Sequence, residues 1–204
     1  TCLYRFDATT RIQVRKELGI GDEVTVIGHV GGYNRQKNQQ MLMYILKAIE
    51  AKNPSKDFCL ISVGRGHTQK DVEQLASKLG VDGKVRFLGQ RTDVPKLLNA
   101  MDMFFLPSLF EGFPIVAIEA QTAGLPLVIA DTISKEVELT NLVHWLPIDK
   151  GAEVWAEKYY QIAHTKVNRV QYAPIVERKG FDARHSAQIL QDIYVKNILR
   201  NENS

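Results

Sequence analysis

The chain has 204 residues, 45% of them hydrophobic and 24% charged, and its 26 basic and 23 acidic side chains leave a formal net charge of +3. That length predicts a single domain around one sizeable core, and so mild a balance, with Lys and Arg spread evenly, excludes an extended nucleic-acid groove while leaving room for a small anionic ligand. No apolar run approaches the ~20 residues of a membrane-spanning helix and no basic-then-apolar leader opens the chain, so the expectation is a protein neither exported nor membrane-spanning, with two thiols, Cys2 and Cys59, that suit a reducing cytoplasm.

In chain order, short apolar runs alternate with amphipathic ones. Glu23 to Val30 ("EVTVIGHV") reads as a buried strand, followed by a helix over Asn38 to Ala51 with Leu42, Ile45, Leu46 and Ile49 on one face. Asp57 to Gly64 ("DFCLISVG") is a second strand, with Cys59 as a buried free thiol, and a helix over Thr68 to Leu79 ends at Gly80. Then come a strand over Lys84 to Gly89, a short helix over Val94 to Met101, a strand over Asp102 to Pro107, a helix over Pro114 to Ala123 ending at Gly124, and a strand over Pro126 to Ala130. Leu142 to Pro147 is the candidate sixth strand, and two helices follow over Ala152 to Thr165 and Ala183 to Leu199, separated by a polar loop around "APIVERKG". Successive βα steps with continuously apolar strands predict an α/β fold: a doubly wound, Rossmann-like parallel sheet with helices on both faces.

Ligands of such sheets sit beyond the carboxyl ends of the strands, so the βα loops are the informative segments. Three stand out: "HVGGYNRQKN" after the first strand, "VGRGHT" after the second and "PSLFEGFP" after the fourth. None matches the G-x-G-x-x-G or Walker pattern, which leaves a nicotinamide or ATP site unsupported. In the third loop Gly112 would let backbone approach a ligand, and Pro114 suits the first helical position, leaving the amides of Ile115 and Val116 as an anion seat at the positive end of the helix dipole. Glu111 and Glu119 bracket this seat. His29, His67, His144, His164 and His185 show no ligand spacing and read as surface or core residues, so no metal is expected.

Glu119 is the only charge between Pro114 and Ala130. One reading makes it a surface residue on an otherwise buried helix, or the partner of a neighbouring Lys. The other gives its carboxylate the vicinal hydroxyls of a ribose, two donors that would offset the cost of an apolar setting.

The two Glu of "EGFPIVAIE", preceded by "LPSLF" and followed by "AQTAGLPLVIAD", resemble the donor-binding motif of the retaining glycosyltransferases of family 4, which have the GT-B fold. "QKN" at Gln36 to Asn38 and "VRFLG" at Val85 to Gly89 stand in the matching order. The resemblance implies transfer of a sugar from a nucleotide-diphosphate sugar, with uridine ahead of guanosine as the base, to a glycan or lipid-linked saccharide with retention at the anomeric carbon. It implies that Glu119 binds the ribose, that Glu111 lies near the donor sugar as the catalytic residue, and that Lys37 and the backbone of Gly112, Phe113, Pro114, Ile115 and Val116 hold the diphosphate, without any cofactor. Gly64, Gln90 and Arg91 are the candidates beside the base.

The sequence departs from the family at Gly32, where many relatives carry an Arg that shares the diphosphate with the Lys; Arg35 is the nearest compensating charge. A GT-B enzyme has two α/β halves, so residues 1–204 are expected to be the donor-binding half: a lead-in at 1–21 containing the helical "TTRIQVRKELGI", a sheet core at 22–147 and C-terminal helices at 148–204. The acceptor site would belong to an absent N-terminal domain, and the isolated half is expected to be inactive. A cytoplasmic setting follows, with the full protein peripheral to the inner face of the membrane. The competing reading is a non-catalytic nucleotide-sugar binding or assembly module.

Overall fold

The computed structural model describes residues 2–55, 57–163, 165–181 and 191. Six strands form one parallel sheet in the order β3-β2-β1-β4-β5-β6: β1 (Thr25–Val30), β2 (Phe58–Val63), β3 (Val85–Gly89), β4 (Met103–Leu106), β5 (Leu127–Ala130) and β6 (Val143–Leu146). The run Leu142 to Pro147 is thus a sixth strand, in register with β5 from Leu127↔Val143 to Ala130↔Leu146. Central strands β2, β4 and β5 are buried at every residue, as apolar strands covered on both faces must be, whereas β3 at the sheet edge is largely half-buried. Because β1 pairs with both β2 and β4, the chain reverses its winding direction at β1. A doubly wound sheet opens its ligand crevice there, between the loops after β1 and β4.

On one face α2 (Gln39–Lys52) packs against α3 (Gln69–Leu79) and α6 (Ala152–Ala163). Trp155 of α6 is fully buried and meets Phe105 of β4 edge-on at 5.9 Å between ring centroids. The remaining helices α1 (Ala8–Glu17), α4 (Val94–Ala100), α5 (Ile115–Thr122) and α7 (Tyr172–Arg178) pair as α1 on α4 and α5 on α7. Helix α1, in the lead-in, is packed onto the domain. Its Arg15 is 2% exposed and donates to the carbonyls of Ala100, Gly21 and Val24 and to Asp102.

Three expectations need correction. The segment "APIVERKG", expected as a polar loop, carries all but the first residue of α7; its Pro174 sits in the first turn, where a missing N–H breaks no helical bond. Pro114 is the N-cap of α5 with extended backbone (φ −71°, ψ 107°) rather than its first helical residue. Asn38 likewise caps α2 from a left-handed conformation (φ 52°), and the helix begins at Gln39. The helix expected over 183–199 falls outside the described residues apart from Gln191.

Candidate functional site

The loops after β1 and β4 are tied together by their own polar groups. Leu109 N donates to Gln36 O (2.8 Å), Gln36 Nε2 to Phe110 O (3.0 Å), and Asn38 Nδ2 to Pro107 O (3.1 Å). These bonds bring Lys37 and Glu111, 74 positions apart in sequence, into a salt bridge of 2.7 Å between Nζ and Oε2. The other carboxylate oxygen accepts from Ser108 Oγ. Both charges are largely withdrawn from water, with side-chain exposures of 17% for Lys37 and 7% for Glu111. Glu111 is therefore held as an oriented carboxylate, and the ammonium keeps two further N–H donors for a ligand.

From Glu111 the chain runs through Gly112 and Phe113 into α5. Ala117 N returns to Pro114 O (3.0 Å), which leaves the amides of Ile115 and Val116 without a hydrogen bond among the described residues. Both amides open a helix with no acidic residue in its first turn, an arrangement compatible with an anion. Gly112 faces open space, so nothing in the fold itself requires a glycine there. Phe113 stacks on Phe181 at 5.8 Å. One turn into α5, the half-buried Glu119 forms no ion pair with a Lys among the described residues, and its carboxylate lies near the hydroxyl of Tyr4. Burial first, and the neighbouring Glu119 carboxylate second, hold the Tyr4 phenol well above its ordinary pKa.

The proposed base residues gather at the carboxyl end of β3. Gln90 is exposed, and Arg91 is engaged by Asp93 through two bonds of 2.8 and 2.7 Å. Gly64 has a structural duty of its own. It adopts φ 142°, its N–H bonds Gly89 O at 2.8 Å, and any Cβ would overlap the Gly31 carbonyl. Gly66 is similarly pressed against Tyr33, so "GRG" exists to let the loops after β1 and β2 touch. Arg35 is exposed, without an ion pair among the described residues, and lines a cleft to which Lys37 does not contribute.

Two residues escape the sequence reading. His29, fully buried near the end of β1, approaches Phe105 O with Nδ1 at 3.0 Å. A carbonyl only accepts, so Nδ1 carries the proton and the buried Nε2 is a bare acceptor, with no hydrogen-bond partner among the described residues. Burial lowers the His29 pKa to about 4, with the nearby Lys37 charge acting in the same direction. No sequence signal separates this histidine from an ordinary core residue. Arg65, inside "VGRGHT", is exposed and reaches over Gly89, its Nε 3.5 Å from where a Cβ would stand.

The family described as glycosyl transferases group 1 matches residues 24–164, more than half of the chain. The chain belongs to this family. The "putative glycosyltransferase EpsF" of Bacillus subtilis (strain 168) is 31% identical over 178 residues, which cover 86% of this chain and 46% of EpsF. Among solved structures, HepE of Anabaena in complex with UDP superposes with a TM-score of 0.76 at 24% identity, covering 95% of this chain and 54% of HepE. The C-terminal domain of the group 1 glycosyl transferase LpcC of Francisella tularensis superposes with a TM-score of 0.70 at 20% identity, covering 86% of this chain and 95% of that domain. The fold is thus the Rossmann-like α/β unit of the GT-B glycosyltransferases, and this group 1 chain spans about half the length of EpsF and HepE.

Proposed function

We propose that this group 1 chain is the C-terminal, donor-binding half of a family 4 glycosyltransferase that moves a sugar from a nucleotide-diphosphate sugar to a glycan or lipid-linked saccharide with retention of configuration. The observation that carries this reading is the Lys37–Glu111 pair at the winding reversal of the sheet, in the same loop-helix unit as the unengaged amides of Ile115 and Val116. One ammonium and two amides in a partly dry setting suit the charge that develops on a departing diphosphate. Glu111, oriented by Lys37 and Ser108, retains lone pairs for hydroxyls of the donor sugar. Glu119 takes the ribose, and Gly64, Gln90 and Arg91 border the base, for which uridine is preferred over guanosine.

In this reading the second half of the enzyme supplies the acceptor site and the wall that excludes water, so the 204-residue chain binds donor without turning it over. Among the described residues no helix is long and apolar enough to cross a membrane. A cytoplasmic enzyme working at the inner face of the membrane, in polysaccharide synthesis, is the setting we propose. Titration calorimetry with UDP, GDP and uridine in EDTA tests the binding. UDP should bind, GDP more weakly and uridine weakest. Comparable affinity for uridine and UDP, or a strict need for a divalent cation, would remove the diphosphate seat.

A further inference from the structure

The loop after β2 is pinned on two sides. Toward β1, Gly64 and Gly66 lie so close to the carbonyls of Gly31 and Tyr33 that a Cβ on either would overlap them, and the carbonyl of Arg65 between them accepts the N–H of Tyr33 at 3.0 Å. Toward β3, the ladder shifts register between Ser62 and Val63, so that Val63 pairs with Gly89 and the N–H of Gly64 bonds Gly89 O at 2.8 Å. Such an irregularity at the end of a ladder re-aims the side chains beside it. The backbone of Arg65 therefore has little freedom, and its side chain is directed over the end of β3.

The Arg65 guanidinium is exposed and has no hydrogen bond or ion pair among the described residues, whereas Arg91 gives its own to Asp93 through bonds of 2.8 and 2.7 Å. Where a Gly89 Cβ would stand, the nearest Arg65 atoms are Nε at 3.5 Å and Nη2 at 3.9 Å, with no third atom within 4 Å. The group thus meets that flank by its Nε–Nη2 edge, which carries two parallel N–H donors and no acceptor. Gly89 is a glycine for its backbone alone (φ 64°), so the orientation of Arg65, and not the glycine, points to a ligand. Neighbouring strands lie about 4.8 Å apart, which puts the end of β3 about 10 Å from the end of β1, whose loop carries Lys37. A ribose and its 5′-phosphate can span that distance.

We propose that Arg65 reads the base of the donor: its Nε–Nη2 edge donates to the carbonyl oxygen opposite the glycosidic bond, O4 of uracil, and selects a keto base against one with an amino group at that place. The assignment rests on the donor-binding function proposed above and adds to it the residue and the chemistry that choose the base. With the phosphates at Lys37 and the α5 amides, the edge of the base farthest from the ribose is the one that reaches β3. Cytosine carries N4–H₂ where uracil carries O4, so in CDP the two donors of Arg65 would face a donor.

The test is titration calorimetry of the 204-residue chain with UDP and CDP at about 0.15 M salt, where an exposed charge acts little beyond contact range. UDP should bind about tenfold tighter than CDP. In Arg65→Ala the affinity for UDP should fall about tenfold and that for CDP hardly change, which brings their ratio near one. Arg65→Glu accepts where arginine donates, so CDP should then bind ahead of UDP, an inversion that a merely structural role does not produce. Should GDP bind in place of UDP, ADP takes the part of CDP, because guanine carries O6 and adenine an amino group at the matching place. Thermal unfolding of both variants at the wild-type temperature confirms that they fold. Equal affinity of the wild type for the keto and amino members of a pair, unchanged UDP affinity in Arg65→Ala, or an equal loss for UDP and CDP, which would put Arg65 on the phosphates, would each overturn the assignment alone. Absence of binding by all four diphosphates would overturn it together with the donor-binding function.

Discussion

The hydroxyl of Tyr4 lies near the carboxylate of Glu119, where the N-terminal segment meets the helix whose first turn presents two free amides. A carboxylate has about four lone-pair sites, so Tyr4 leaves room for the two hydroxyls of a ribose. Glu119→Ala should weaken UDP binding by about 1–3 kcal/mol, and Tyr4→Phe, which removes only the neighbouring hydroxyl, by less. A 2′,3′-dideoxy analogue of UDP should bind the wild type poorly and gain nothing further from the Glu119→Ala change. Equal affinity of UDP for wild type and Glu119→Ala by calorimetry would assign Glu119 to the Tyr4 contact alone.

The Lys37–Glu111 pair supports a second prediction, because its partners have separate duties. Lys37→Ala removes the ammonium and should weaken UDP binding by about 1.5–3 kcal/mol, leaving uridine binding unchanged. Glu111→Gln keeps the shape but not the charge, so UDP should bind at least as tightly, while the fold loses about 1–3 kcal/mol in denaturant titration. A loss of UDP affinity in Glu111→Gln as large as that in Lys37→Ala would mean that the pair binds as one unit.

Much of this arrangement was legible in the residues. Continuous apolar runs gave the strands, and Gly80, in a left-handed C-cap (φ 71°), ended α3 as expected. The free amides of α5 were expected at the right residues, and its first turn lacks an acidic residue, although Pro114 caps the helix instead of opening it and the fold itself does not call for Gly112. Contacts between distant segments were not legible. Nothing local pairs Tyr4 with Glu119, places the unremarkable His29 beneath the site, or shows that Gly64 and Gly66 are glycines because the β1 loop presses on them. Those facts depend on the order of strands in the sheet, which only the folded chain displays.

His29 should make stability depend on pH. Its folded-state pKa of about 4 lies below the ordinary 6.5, so the unfolded chain binds the extra proton first as pH falls. Stability from this group is complete above pH 6.5, declines by about 3 kcal/mol between 6.5 and 4, and changes little below that. His144 is lowered by burial too and adds in the same direction. His29→Asn retains a donor for Phe105 O without the titration, so its stability should fall less across that interval. Parallel curves for the two proteins in urea unfolding at pH 4 to 7 would show that His29 does not titrate this way.

The last prediction concerns Gly32, where the family resemblance leads one to expect an arginine. The backbone there accepts a side chain: a Cβ would meet only Arg65 O at 3.6 Å and Asn34 Nδ2 at 3.9 Å, which is ordinary contact. Position 32 is also exposed, so a guanidinium can be solvated or turn toward the Lys37 side of the loop. Gly32→Arg should therefore fold normally and tighten UDP binding by about 1.5–3 kcal/mol through a charge-assisted bond. Arg35→Ala should leave UDP affinity unchanged, because Arg35 is exposed and lines a cleft to which Lys37 does not contribute. If calorimetry shows Arg35→Ala abolishing UDP binding while Gly32→Arg changes nothing, then Arg35 has taken over the diphosphate from a shifted loop, and the assignment of that residue reverses. In neither variant should the 204-residue chain hydrolyse a donor sugar, since the groups that would position an acceptor and exclude water lie, in the proposed function, on the other half of the enzyme.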